Sequence, residues 1–373
     1  MDATTVSVGT LPNDVILEIL ARPPDEAVLF RCAATCKLWR DHGRRRPAGS
    51  LPPEIDGLFN RATPLASSGA LLLLQFVPRH ARDHHSAPTS IHFAVCDLLA
   101  GSCEVLPPLW HKSIYDGVEL AGSGILAGAD ICSGGQQQRR RPLRGFSALF
   151  KVLLIGSSYD GMRHYLYTFS SDQPSWSAPS SFLDCVKHHN GLMMSQRSAV
   201  VRRGTAHWLC WDFSDMYSVD VNAETGRSSL VNLRVPVGAR YYFLPYSTPK
   251  LNVGVDGALQ LVRLHIEGLW VETWTRQDGR DRSVDSGSAD WLRIRVVEIE
   301  QPKQKLTERA VCVCVGEKSG TMLLVDQDGR ALLVDLETGA VEEMTGRFKG
   351  QEWLAALAVE IDWPALFVSR LSG

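Results

Sequence analysis

Histidine, cysteine and paired acids are the side chains from which a metal centre or a catalytic pair would be built. This chain holds 11 His and 9 Cys. His80, His84, His85 and nearby His92 gather enough imidazole for zinc. They sit in Arg79-His80-Ala81-Arg82-Asp83-His84-His85, a polar stretch bounded by proline, which reads as a solvated hairpin loop. His188-His189 lacks a matching cysteine pair. Cys312 and Cys314 alternate on one strand face and read as core thiols. Cys185 and Cys210 have no neighbouring motif that would lower a thiol pKa. Gly122-Ser123-Gly124-Ile125-Leu126-Ala127-Gly128 is glycine-rich, but its spacing misses the dinucleotide fingerprint and no βαβ unit follows. No P-loop, nucleophile elbow or H-E-x-x-H occurs. Glu342-Glu343 are adjacent, so on a strand they point to opposite faces. The expectation is a chain without catalytic residues, metal or cofactor.

Composition sets the frame. At 373 residues the chain is long for one domain and comfortable for two. With 45% hydrophobic and 21% charged residues it can bury a sizeable core. A formal net charge of -2 gives no general attraction to nucleic acid or an anionic membrane. An odd cysteine count without framework spacing suits free, mostly buried thiols in a reducing compartment. No signal peptide precedes Leu11, and the longest aliphatic run, Ala70 to Leu74, is too short to cross a bilayer. The expected location is cytoplasmic and/or nuclear.

Residues 1–9 are small and polar and read as disordered. Over 10–43 the pattern predicts three short helices. Thr10 caps the first, with Pro12 in its first turn and Ile16, Ile19 and Leu20 on its apolar face. Pro23 and Pro24 end it. Asp25 caps a second, and Thr35 a third that carries Cys36 and Trp39 and stops near Gly43. So short a module cannot bury enough surface alone, and its apolar faces need a partner.

Leu11-Pro12-Asn13-Asp14, an amphipathic helix, and then Cys36-Lys37-Leu38-Trp39-Arg40 resemble an F-box. The resemblance implies docking on the Skp-type adaptor of a cullin–RING ubiquitin ligase, through Leu11, Pro12, Ile16, Ile19, Leu20, Leu29, Cys36 and Trp39. Arg22-Pro23-Pro24 departs from the usual R-L-P, which removes an apolar contact and stiffens the turn.

Residues 44–57 read as a linker, with the Arg44–Arg46 run as a solvated helix end or a nuclear-import patch. From 58 to 373 the texture becomes β: short apolar runs rich in Val, Leu, Phe, Tyr and Trp, separated by turn residues. Asp160-Gly161, Asp256-Gly257 and Asp328-Gly329 are type I′ hairpin signals. Thr321–Asp326 and Ala331–Leu336 read as one hairpin. A strand ending in Asp, a turn with Gly and a second strand recur at Asp97/Gly101, Asp220/Gly226 and Asp335/Gly339, with Asp spacings of 123 and 115. Propeller blades of roughly 40–45 residues would make each spacing about three blades. The predicted fold is therefore α+β and multidomain: a three-helix F-box followed by a large all-β, propeller-like domain of about six to seven blades. Trp208, Trp211, Trp270, Trp274 and Trp291 fit the aromatic punctuation of blades.

This architecture, with Asp290-Trp291-Leu292-Arg293-Ile294-Arg295-Val296, resembles the plant (grass-type) F-box proteins that carry an F-box-associated, propeller-like domain. The resemblance implies a substrate-recognition subunit of an SCF-type ligase whose β domain binds a target protein. Two other readings stay open. One is a propeller enzyme or glycan-binding module with an incidental helical cap. The other is an F-box protein acting outside a ligase. Residues 133–145 read as an exposed basic loop, with Arg139, Arg140 and Arg141 as a candidate target contact.

Overall fold

The computed structural model describes residues 62–76, 90–97, 102–110, 119–128, 149–158, 163–178, 180–184, 192–212, 215–233, 248–277, 291–300, 306, 310–316, 319–348 and 357–359. All belong to one compact unit, Pro53–Ile361.

Five antiparallel sheets follow one another along the chain. The first comprises β1 (Ala62–Ser68), β2 (Leu71–Phe76), β3 (Ser90–Asp97) and β4 (Ser102–Val105), with β5 (Leu109–Trp110) returning to β3. The second comprises β6 (Glu119–Ala127), β7 (Phe150–Ser157) and β8 (Arg163–Ser170), flanked by β9 (Gln173–Trp176) and β10 (Ser180–Asp184). In the third, β11 (Met193–Met194) and β12 (Val200–Arg202) share β13 (Thr205–Trp211), which pairs with β14 (Met216–Asn222) and then β15 (Ser228–Asn232). The fourth runs β16 (Lys250–Val253), β17 (Leu259–His265), β18 (Trp270–Arg276), β19 (Trp291–Glu298). The fifth runs β20 (Val311–Val315), β21 (Thr321–Val325), β22 (Arg330–Asp335), β23 (Val341–Arg347). These are the blades of a five-bladed β-propeller.

The blades pack face to face, so their middle strands are buried on both sides and read as continuous apolar runs. Strand β7 shows the logic: Val152 and Leu154 face the first blade, while Leu153 and Ile155 face the third. Strand β13 repeats it, with Trp208 and Cys210 toward the second blade and Leu209 toward the fourth. Four buried clusters among the described residues fill the four successive seams.

At the hub the first strands of the blades meet. Ser123 on β6 is only 2% exposed. Its Oγ donates to Leu65 O of the first blade at 2.9 Å. Its backbone exchanges hydrogen bonds with the third blade, donating to Arg197 O and accepting from Ala199 N, each at 2.7 Å. Trp208 Nε1 also donates to Ser123 O, at 3.2 Å. The flanking glycines make this approach possible: a Cβ at Gly122 would lie 2.9 Å from Trp208 Nε1, and one at Gly124 2.9 Å from Ala199 Cβ. The glycine-rich run therefore serves packing. The chain returns to its first blade at Ala358, whose carbonyl accepts from Ser67 Oγ at 2.6 Å.

The expectation of an α+β fold with six to seven blades is overturned: every element bounded among the described residues is a strand, in five blades. The recurring Asp–Gly hairpin joins the third and fourth strands of blades one, three and five, so each spacing covers two blades rather than three. Long connections, such as 128–149 between β6 and β7 and 277–290 between β18 and β19, stretch the blades beyond the assumed length. The equivalent of Asp335 is also Asn222 rather than Asp220. Asp335 Oδ1 accepts from the backbone N–H of Glu337 and Thr338 and from Thr338 Oγ1. Asn222 Oδ1 accepts in the same way from Glu224 and Thr225. Asp220 sits two residues inside its strand.

The turn chemistry needs correction too. At Asp256-Gly257 and Asp328-Gly329 only the glycine has positive φ, 73° and 75°, so these are not type I′ turns. Asp326 Oδ1 instead accepts from Asp328 N and Arg330 N and shapes a wider loop. The two-residue turn with positive φ at both positions is Arg203-Gly204, at 48° and 74°. The hairpin read at 321–336 is present as β21 and β22. Asp160-Gly161, the three helices of 10–43 and the linker at 44–57 lie outside the described residues.

Two outcomes follow from this packing. Gly124→Ala should lower unfolding stability by about 1–3 kcal/mol, the scale of overpacking, read as a fall in the midpoint of urea unfolding. A chain cut to 53–361 should give a circular dichroism spectrum dominated by β structure; a helical spectrum would contradict the propeller.

Candidate functional site

Among the described residues, two concavities stand out. The first lies at the hub, a cavity of about 330 Å³ between β1, the segment before β12, β16 and β20, with Leu357 and Ala358 on its wall. Gln196 bridges the third and fourth blades here like a strand pair: its Oε1 accepts from Leu251 N at 2.9 Å and its Nε2 donates to Leu251 O at 3.4 Å. Asn252 Nδ2 reaches Gly316 O of the fifth blade at 3.3 Å. Lys250 and Arg197 supply positive charge to the lining. The volume suits only a small ligand.

The second concavity lies on the seam of the third and fourth blades, with a volume of about 590 Å³. Its floor is a buried polar network. His207 Nδ1 on β13 lies 2.8 Å from Asp220 Oδ1 on β14. Ser218 Oγ donates to the same oxygen. Arg276 Nη1, at the end of β18, donates to Asp220 Oδ2 at 3.0 Å. By residue type this is a Ser–Asp–His set, but Ser218 and His207 both engage the carboxylate, so in this arrangement the imidazole does not activate the hydroxyl. The set ties two blades together. Burial opposes the Asp220 charge, yet the hydrogen bond and charge of His207, the Ser218 hydroxyl and the Arg276 guanidinium prevail and hold its pKa at about 2.

Around that floor the cleft is basic. Arg202 and Arg203 come from the β12–β13 hairpin, Arg227 from the turn before β15 and Arg276 from β18. Arg202 Nε donates to Gly257 O of the fourth blade at 2.6 Å. The members of this group lie far apart in the chain, so no local pattern joins them. The one local signal is Arg202-Arg203-Gly204 between two apolar runs.

The residues singled out in the sequence fare differently. Leu11, Pro12, Ile16, Ile19, Leu20, Leu29, Cys36 and Trp39 lie outside the described residues, as do Arg139, Arg140 and Arg141. His80, His84, His85 and the pair at 188–189 lie there too. Cys312 is buried in the seam of blades four and five, and burial pushes its pKa up to about 12. A bulge between Cys312 and Cys314 sets them opposite consecutive residues, Leu324 and Leu323, so they do not share a face as expected. The expectation of free thiols fails at Cys96 and Cys103, which pair across β3 and β4 and are disulfide-bonded. Among the described residues no cluster of three or more His, Cys, Asp or Glu could hold a metal, and no helix is long and apolar enough to cross a membrane.

Residues 8–46 match the F-box-like family. No curated protein matches the chain. Solved structures similar to it include an α-L-arabinanase from Penicillium chrysogenum complexed with arabinobiose, at 10% identity over 80% of this chain and 82% of that one, with a TM-score of 0.42. An α-L-arabinofuranosidase of Fusarium graminearum, also with arabinobiose, is 9% identical over 80% and 82%, with a TM-score of 0.39. The β-propeller domain of the Trilobed protease from Pyrococcus furiosus is 7% identical over 76% and 70%, with a TM-score of 0.36. The chain thus carries an F-box-like domain at 8–46 and a five-bladed β-propeller.

The Asp220 network predicts a defined acid response. A depressed carboxyl pKa contributes stability that is complete above the ordinary value of 3.8 and is lost as pH falls toward 2. Asp220→Asn should therefore cost about 2 kcal/mol at neutral pH and flatten the stability profile between about pH 4 and pH 2. Thermal unfolding across that range measures it.

Proposed function

We propose that this chain is a substrate receptor of a cullin–RING ubiquitin ligase of the SCF type. The observation that carries the reading is the F-box-like match at 8–46 ahead of a β-propeller. The F-box-like segment docks a Skp-type adaptor and, through it, a cullin, and the propeller holds a target protein. The chain's own chemistry is then recognition. Holding a target lysine near a charged conjugating enzyme raises its effective concentration, and other subunits carry out the transfer. The receptor works in the cytoplasm or nucleus, without metal or cofactor, and is not itself an enzyme. The tryptophan-led strand Trp291–Glu298 supports a place among the plant F-box proteins with an associated propeller-like domain. Target contact falls to the loops a packed propeller leaves free. Arg139, Arg140 and Arg141, between β6 and β7, are candidates for that contact.

In a pull-down with a Skp-type adaptor, Leu11→Ala with Pro12→Ala, or Trp39→Ala alone, should weaken binding by at least about 2 kcal/mol, the scale of an interface hot spot. Full retention by both variants, with the propeller folded, would remove the receptor reading.

A further inference from the structure

The hub cavity is walled by parts of the first, third, fourth and fifth blades and by the returning chain at Leu357 and Ala358. Several polar groups on that wall already have partners: Gln196 is engaged with Leu251, and Ser67 with Ala358 O. Lys250 differs. It is half-buried on β16, near enough to the fifth blade for its charge to act on the Cys312 thiol. Among the described residues no carboxylate forms an ion pair with it. A half-buried ammonium keeps only part of its hydration, so an anion fixed beside it is favourable.

Two further groups on the same wall are unanswered. Ser195 Oγ is buried without a hydrogen-bond partner. Asn252 is 2% exposed; its Nδ2 donates to Gly316 O, while its Oδ1 is buried and accepts nothing. Leaving such groups unpaired opposes folding, and each one in a folded protein calls for an explanation. The wall thus offers a bare acceptor, a hydroxyl that can give or take, and an ammonium donor. Val313, Val315 and Leu357 add hydrocarbon to it.

We infer that the hub cavity binds a small hydroxycarboxylate, of the aliphatic hydroxy acid or sugar acid type. The carboxylate meets the Lys250 ammonium, one hydroxyl donates to Asn252 Oδ1, and a second pairs with Ser195 Oγ. The carbon chain lies against the two valines and Leu357. A plain carboxylic acid would leave Asn252 Oδ1 unanswered, and a neutral polyol would leave Lys250 so. The volume of about 330 Å³ falls at the small end of ligand pockets, roughly 300–1,000 Å³. The site belongs to the propeller and does not depend on the receptor reading. Its wall draws on four blades, so an occupant also clamps the ring, and a ligand held only by the folded ring raises its unfolding midpoint.

Isothermal titration calorimetry on the full chain tests it, with glycerate, threonate and gluconate as probes of increasing chain length. The unsubstituted acids propionate, butyrate and hexanoate, the polyols glycerol and sorbitol, and inorganic phosphate serve as comparisons. At least one hydroxy acid should bind about tenfold or more tightly than its unsubstituted acid and than either polyol, and should raise the thermal unfolding midpoint. Lys250→Gln should lower that affinity at least about tenfold. Ser195→Ala should lower it about fivefold while leaving the midpoint of the ligand-free protein unchanged or higher, because the hydroxyl it removes has no partner. Should Lys250→Gln fail to fold, Ser195→Ala alone decides. No binding by any of the three hydroxy acids, equal binding by the unsubstituted acids or the polyols, tighter binding of inorganic phosphate, or unchanged affinity in either folded variant would each overturn the inference. Adaptor pull-down from the same preparations reads residues 8–46 separately, so the receptor reading and the hub site stand or fall apart.

Discussion

The propeller depends on how closely its inner strands can approach one another. Ser123 is where that constraint is tightest. One residue bonds to Leu65 of the blade before it and to Arg197 and Ala199 of the blade after it. Neither approach is possible with side chains at 122 and 124, where Trp208 and Ala199 already fill the space. The glycines thus act by leaving room for a neighbour's indole. Trp208 is fully buried, and its N–H, which would be costly to leave unpaired there, finds the Ser123 carbonyl. Close approach, aromatic packing and polar satisfaction meet at one point of the hub.

The seams inherit their character from this arrangement. Among the described residues each is filled by a buried apolar cluster. In the first, Trp176 meets Phe93 and Phe169 at ring-centroid distances of 5.5 and 5.4 Å. The third seam is apolar at Leu209, Leu251 and Leu261, but carries the Asp220 network toward its outer part. Placing a carboxylate there makes the seam directional. His207 and Ser218 belong to one blade and Arg276 to the next, so the charge joins the two sheets beside their apolar contact, as the Gln196–Leu251 and Arg202–Gly257 hydrogen bonds also do.

Much of this was written locally in the chain. The LP-x-D opening and the C-K-x-W-R end are contiguous signals, and the matched span of 8–46 encloses both. The β character from residue 58 onward was visible in the alternation of aliphatic runs and turns, and the 321–336 hairpin appears nearly as read. Blade number was not legible, because it depends on connection lengths that no strand pattern constrains. The recurring hairpin does fall in alternate blades, but in the third its cap is Asn222, and Asp220, two residues earlier, carries the same local pattern without that role. The basic cleft was invisible for a different reason. Arg203, Arg227 and Arg276 meet only after two blades have formed and packed, and nothing in their local sequence marks them as neighbours.

The ring is closed by contacts between the two ends of the propeller sequence. Ser67 and Ala358 are 291 residues apart, and the hydrogen bond between them forms only when the intervening blades have brought those ends together. Each earlier seam joins sheets that are consecutive along the chain and can form as the polypeptide lengthens. The closing contact has no such local path, and loop-closure entropy places it last. The propeller therefore has a seam defined by time as well as by position: the place where it completes itself, and the place where it first comes undone.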